Sequence, residues 1–176
     1  AKFDIGIDLA DEEELAFQIG VITKHGAQRV VEFAFQLAKR KNIDLVTSVD
    51  KANVLTEVYG MWREAVEEVS KHYQIAKEFL YVDAVALYMV RSPERFKLLV
   101  TPNLFGDILT DEASMLTGSL GMLPSAALGA GLRGLYEPIH GSAPDIAGMA
   151  RANPCGTILS AAMLLRHSLG LDSEAE

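Results

Sequence analysis

Cysteine is almost absent: Cys155 is the only one in 176 residues, which excludes an internal disulfide and any multi-cysteine metal centre. Its place after Asn153-Pro154, in an apolar run, suits a small buried hydrophobe. Such usage fits a reducing, cytoplasmic setting. Aromatics are sparse at 7%, with one tryptophan, and basic residues are too few to balance the acids. The formal charge of -8 and pI near 5.0 repel a phosphate backbone or an anionic membrane surface, so neither nucleic acid nor membrane is expected as a partner. No apolar run reaches the length of a bilayer span, and Ala1-Lys2-Phe3-Asp4 is not expected to open a signal peptide. What remains, 49% apolar and 23% charged residues, is the profile of an ordinary globular chain.

Periodicity divides that chain into alternating elements. A strand is expected around Phe17 to Ile22. Thr23 to Asn42 follows with Val30, Phe33, Ala34, Leu37 and Ala38 at amphipathic-helix spacing, closed by Lys39-Arg40-Lys41, where cations suit the helix dipole. Ile43 to Val49 is too short and too β-branched for a helix. Leu55 to Tyr73 returns to helical spacing with Val58, Trp62, Val66 and Val69 on one side, a stripe that reads as core. Phe79 to Val82 predicts a strand, Ala84 to Val90 a helix ending before Ser92-Pro93, and Phe96 to Thr101 another strand. The alternation predicts an α/β fold, a sheet layered with helices.

Chemistry gathers at the strand ends, where such sheets open into a crevice. Ser48-Val49-Asp50-Lys51-Ala52-Asn53 ends one strand and Tyr81-Val82-Asp83 the next. Thr101-Pro102-Asn103 leads from a third into Asp107 and Asp111. The last two acids are one helical turn apart in apolar surroundings. Like charges at that spacing repel unless a cation lies between them, and a hard divalent ion is the natural neutraliser. One amine with three acids, Lys51 with Asp83, Asp107 and Asp111, describes a cation site with a base beside it, although each residue alone is an ordinary solvated charge or helix cap.

Downstream, Glu137 to Gly148 is a loop of small residues that lets a ligand approach backbone amides. A short helix is expected after it, with a start suited to phosphate oxygens. It contains no G-x-G-x-x-G turn, and His140 can equally be a satisfied turn histidine.

The strings SVDKANV, YVDA, NLFGDILTDEASMLTGSLGMLPSAALG and GLYEPIHGSAPDIAG, then ANP and SAAMLLRHSLG, resemble the β-decarboxylating dehydrogenases of 2-hydroxy acids. The resemblance runs from Thr23 to Leu171 and leans to the 3-isopropylmalate branch, with isocitrate and tartrate dehydrogenases as near relatives. It implies the isocitrate/isopropylmalate dehydrogenase-like fold in partial form. Residues 1–100 would be mainly the dimerisation and substrate/metal domain, and 101–176 the metal helix, cofactor loop and part of the nucleotide-side domain. It also implies NAD-dependent oxidative decarboxylation of a small-molecule 2-hydroxy acid, as in leucine biosynthesis, with Mg²⁺ or Mn²⁺ polarising the developing ketone oxygen.

By resemblance, Asp83, Asp107 and Asp111 are the metal carboxylates, and Lys51 takes the hydroxyl proton with Asp83 beside it. Lys51, Asn53, Asp83 and Asp107 touch substrate. His140, Gly141, Ser142, Ala143, Pro144 and Asp145, with Asn153, hold the cofactor. Asp145-Ile146 favours NAD, since an acid accepts from ribose hydroxyls and repels a 2′-phosphate. Lys51 and Asp83 would serve the neighbouring subunit's site, which makes a homodimer obligatory. The family's glycine-rich turn and substrate-clamping arginines have no counterpart in these residues. Asp4 stands where its general-acid tyrosine belongs, and Met149-Ala150-Arg151 replaces a lysine-glycine-isoleucine. A non-catalytic dimeric binding or assembly module of the same ancestry is the alternative reading. A metal-dependent hydrolase built on the three acids is a third.

Overall fold

The computed structural model describes residues 18–176 together with Glu14 and Ala16. The expected strand at Phe17 to Ile22 is not formed over Gln18–Ile22, which runs irregularly into the first helix; Phe17 itself, like Asp4, lies outside the described residues. Gly20 interrupts the alternation there, and no strand among the described residues supplies ladder bonds.

Helix α1 (Lys24–Lys41) begins where Thr23 caps it, its hydroxyl accepting from the Gly26 amide at 3.2 Å. It ends at Asn42 in the left-handed region, φ 54°, whose N–H reaches the carbonyls of Ala38 and Lys39. Its buried face is Ala27, Val31, Ala34, Phe35 and Ala38, rotated from the expected stripe so that Val30 and Phe33 lie at the rim. Strand β1 (Leu45–Asp50), helix α2 (Thr56–Ser70), strand β2 (Ala76–Tyr81), helix α3 (Val82–Arg91) and the two-residue strand β3 (Leu99–Val100) follow. These are the expected elements with shifted ends.

The three strands form a parallel sheet in the order β2-β1-β3. Central β1 is buried along nearly its whole length, as a strand covered on both faces must be. Alternate residues face opposite sides. Val46 joins Phe35, Trp62 and Val66 under α1 and α2, while Val49 joins Val85, Met89 and Leu109 under α3 and α4 (Asn103–Thr117). Its polar residues are all partnered: Thr47 donates to Glu78 at 2.8 Å, Ser48 accepts from the Trp62 indole at 3.0 Å, and Asp50 accepts from Arg63. Trp62 is thus core, with its one polar atom satisfied.

Gly118 closes α4 at φ 82°. A 3₁₀ turn, Leu120–Met122, then leads to an antiparallel hairpin of β4 (Pro124–Leu128) and β5 (Gly134–Pro138), against which α5 (Cys155–Leu164) packs. α5 continues into a π-helical turn, Leu165–Leu169, where Ser168 meets the Tyr136 hydroxyl at 2.7 Å. Cys155 is half-buried rather than core, because it is the first residue of α5, where its backbone N–H donates to Asn153. No helix among the described residues is long and apolar enough to cross a membrane.

Candidate functional site

Lys51 directly follows β1 and Asp83 lies in the first turn of α3, directly beyond β2. Asp50 and Tyr81 are opposite each other in the β1–β2 register, so the two strand ends emerge side by side. The Lys51 ammonium donates to an Asp83 carboxylate oxygen. That bond holds the Asp83 carboxyl below the usual carboxylate range, with a backbone amide assisting. Lys51 is largely covered, whereas Asp83 is 65% exposed and keeps its outer face open. Asn53 is exposed in the turn after Lys51, whose carbonyl accepts from Val54 and Leu55 at 3.0 Å each.

Asp107 and Asp111 are on α4, one turn apart and both exposed. Among the described residues no three histidine, cysteine, aspartate or glutamate side chains come together as a metal cage. Within a single copy Asp83 therefore does not join Asp107 and Asp111, because it opens a different helix and is held by Lys51. What surrounds these acids is apolar and uncovered. On α3, Asp83, Leu87 and Val90 follow one another at helical spacing; on α4, Leu104, Ile108, Asp111 and Met115 do the same. Those five hydrophobes are between 56 and 71% exposed. Acids of hard oxygen type, two on α4 and a third on α3, suit Mg²⁺ or Mn²⁺ as donors.

The downstream loop lines a cavity of about 770 Å³, in the size range of small-molecule sites, with Ser119 to Gly121 forming its other wall. His140, Gly141, Ser142, Ala143 and Asn153 all line it; Pro144 and Asp145 belong to the adjoining turn. Within the loop Pro144–Ile146 forms a single 3₁₀ turn, and the helix expected after the loop is α5, which opens at Cys155. His140 is satisfied on one side only: Nδ1 meets the Gly141 carbonyl at 2.9 Å, while Nε2 is buried without a partner. A buried, unpaired ring nitrogen beside an open cavity is what a ligand hydrogen bond would satisfy. Ala143 and Ala150 are held at φ 43° and 53°, strained values for alanine, at either side of the loop.

Asn153 is committed inside the protein. Its carbonyl accepts from Cys155 at 3.0 Å and its amide faces Met122 sulfur at 3.2 Å, so it shapes the cavity floor. A Cβ on Gly121 would come within 2.8 Å of Asn153, which explains glycine there.

The sequence reading missed Asp50 and Arg63. Asp50 is completely buried, bound by Arg63 at 2.6 and 3.0 Å, and also accepts from the Ala52 amide at 2.9 Å. An acid inside an otherwise buried strand was the available signal, because a buried charge must be paired. Its partner 13 residues away was not readable from local spacing.

A family model described as isocitrate/isopropylmalate dehydrogenase matches residues 4–176. The 3-isopropylmalate dehydrogenase of Geobacillus kaustophilus is 54% identical over 165 residues, 93% of this chain and 44% of its own length. That of Rhodopirellula baltica is 53% identical over 173 residues, 97% of this chain and 48% of its own. Among solved structures, isocitrate dehydrogenase from Methylococcus capsulatus superposes with TM-score 0.86 at 43% identity, over 94% of this chain and 49% of that one. The chain spans about half the length of the curated relatives it matches.

Proposed function

The chain belongs to the isocitrate/isopropylmalate dehydrogenase family, and from that premise we propose that it supplies the dimerising, metal-carboxylate and cofactor-loop portion of an NAD-dependent β-decarboxylating dehydrogenase acting on 3-isopropylmalate. One observation carries the reading: the Lys51–Asp83 pair stands at the C-terminal ends of two adjacent strands, and Asp83 shares its helix face with uncovered hydrophobes just as Asp111 does on α4. Exposed apolar stripes of this size mark an interface. A second copy meeting α3 and α4 would bring Lys51 and Asp83 of one protomer to Asp107 and Asp111 of the other.

When bound, a divalent ion supplies Lewis-acid stabilisation of the oxygen on which charge develops, and NAD accepts the hydride. Asp83, Asp107 and Asp111 would hold that ion. Asp83 suits the task because its bond to Lys51 keeps it ionised at low pH. Lys51 would take the hydroxyl proton as the neutral amine, the ammonium that donates to Asp83 having first lost a proton to solvent. Asn53, in the same turn, would contact the substrate beside it. His140 Nδ1 donates to the Gly141 carbonyl, so Nε2 of the neutral ring would accept a hydrogen bond from the cofactor, and Asp145 would receive ribose hydroxyls.

The test is NADH formation from 3-isopropylmalate with NAD and Mg²⁺, with Lys51→Ala as control. Turnover abolished by the substitution is the expected result. A flat trace for both proteins would favour the non-catalytic binding module. Light scattering supplies an independent check on the interface: a dimer is expected, and Ile108→Glu, which sets a charge in the apolar stripe, should give monomers.

A further inference from the structure

Asp50 poses a question that folding alone does not answer. Burying a carboxylate carries a desolvation cost, so a well-packed hydrophobe in its place would often be at least as stable. Yet Asp50 is 0% exposed at the end of β1, gripped by two parallel bonds from Arg63 Nε and Nη2. The position of this pair offers an answer. Asp50 immediately precedes Lys51, and its Oδ1 also accepts from the Ala52 amide at 2.9 Å, so one carboxylate fixes the backbone on both sides of the lysine. On the other flank the Arg63 guanidinium lies over the rings of Phe79 and Tyr81, at 5.1 and 5.2 Å. Tyr81 ends β2 and is two residues from Asp83. Arg63 thus grips both strand ends from which the Lys51–Asp83 pair projects.

We infer that Asp50 and Arg63 are positioning residues that set the distance and direction between Lys51 and Asp83. The inference rests on the roles proposed above for that pair. Arginine is the fitting residue because only its planar fork can bond a carboxylate twice and stack on two rings at once.

A zero-length carbodiimide joins an amine to a carboxylate only where the two already touch, and peptide mass spectrometry locates the bond. The wild-type chain is expected to give a Lys51–Asp83 amide. Asp50→Asn keeps the shape and the acceptor for Ala52 but lacks the charge that holds the fork; its yield should fall several-fold with an unchanged far-ultraviolet spectrum. Arg63→Gln should behave alike, and Arg63→Lys should recover part of the yield. If Arg63→Gln does not fold, the Asp50→Asn, Arg63→Met double variant, which leaves no charge unpaired, replaces it with the same expectation. In turnover, Asp50→Asn should lower kcat by up to about a hundredfold with KM little changed, as for a misplaced reacting group. A wild-type yield preserved in the folded variants would overturn the inference, as would loss of folding in Asp50→Asn. Absence of wild-type turnover with the cross-linking pattern as expected would instead refute the functional reading and leave the positioning role standing.

Discussion

The parallel-sheet region and the hairpin region of this chain are built from similar residues and are packed very differently. Around β1, side chains from α1 and α2 close completely: Val31, Phe35, Val46, Ala65 and Val66 are all fully buried. In α5 the buried residues are Gly156 and Ser160, while Ile158, Leu159 and Leu164 face outward. A helix apolar around its circumference is at home only in an interior. A two-stranded hairpin is likewise marginal without further strands or a packed cover. The lesson concerns division of labour. The region carrying Lys51 and Asp83 is organised by its own core, whereas the hairpin region with the His140–Gly148 loop draws its order from short polar contacts and glycine fit.

The largest expected effect tests that contrast directly. Trp62→Ala removes a core side chain together with the donor to Ser48 and should cost about 3–5 kcal/mol in urea unfolding. Ile158→Ala, also an apolar truncation on a helix, should stay within about 0.5 kcal/mol, since 61% of Ile158 is already in water. Equal losses would mean that the hairpin region is as tightly covered as the sheet.

A smaller effect sharpens the comparison from the other side. Gly121→Ala forces a methyl to within 2.8 Å of Asn153 Cβ and 3.2 Å of its carbonyl oxygen, and should cost about 1–3 kcal/mol. The strain should stay local. Hydrogen exchange is expected to accelerate across Leu120–Met122 and the start of α5, with β1 and α2 unchanged. Protection lost evenly throughout would show one cooperative unit instead of two levels of order.

The sequence disclosed these two regions unequally, for physical reasons. α1, β1 and α2 follow from clean periodicity, capping residues and a β-branched run, all local signals. Local signals also misled: Gln18–Ile22 has the composition of a strand but pairs with no strand among the described residues, and β3 shrinks to two residues because only Thr47 and Ser48 stand opposite it. The hairpin was unread since Pro124-Ser125-Ala126-Ala127-Leu128 and Gly134-Leu135-Tyr136-Glu137-Pro138 hold few residues that favour strands, and tertiary pairing decides them. At the site, the spacing of Asp107 and Asp111 was legible as one helix turn. The contact of Lys51 with Asp83 and the grip of Arg63 on Asp50 depend on parallel register, which no local pattern records.

The smallest effect lies at His167, which lines a cavity together with Arg40 of α1. Its imidazole pKa is lowered below the ordinary value of 6.5, chiefly by burial and then by the charges of Arg40 and Arg166, with Lys41 adding to them and Asp172 opposing. The folded chain thus binds a proton there less readily than the unfolded chain does. The resulting stability is fully present above the ordinary histidine range and is lost as pH falls from about 6.5 through the depressed folded-state value. Thermal melts should accordingly drop over that acidic window, and His167→Asn, which cannot acquire the charge, should flatten the drop. Because Arg40 belongs to α1 and His167 to the turn after α5, Arg40→Gln should also soften it. A slope left unchanged by both substitutions would mean that the two regions do not sense each other's charge across this cavity.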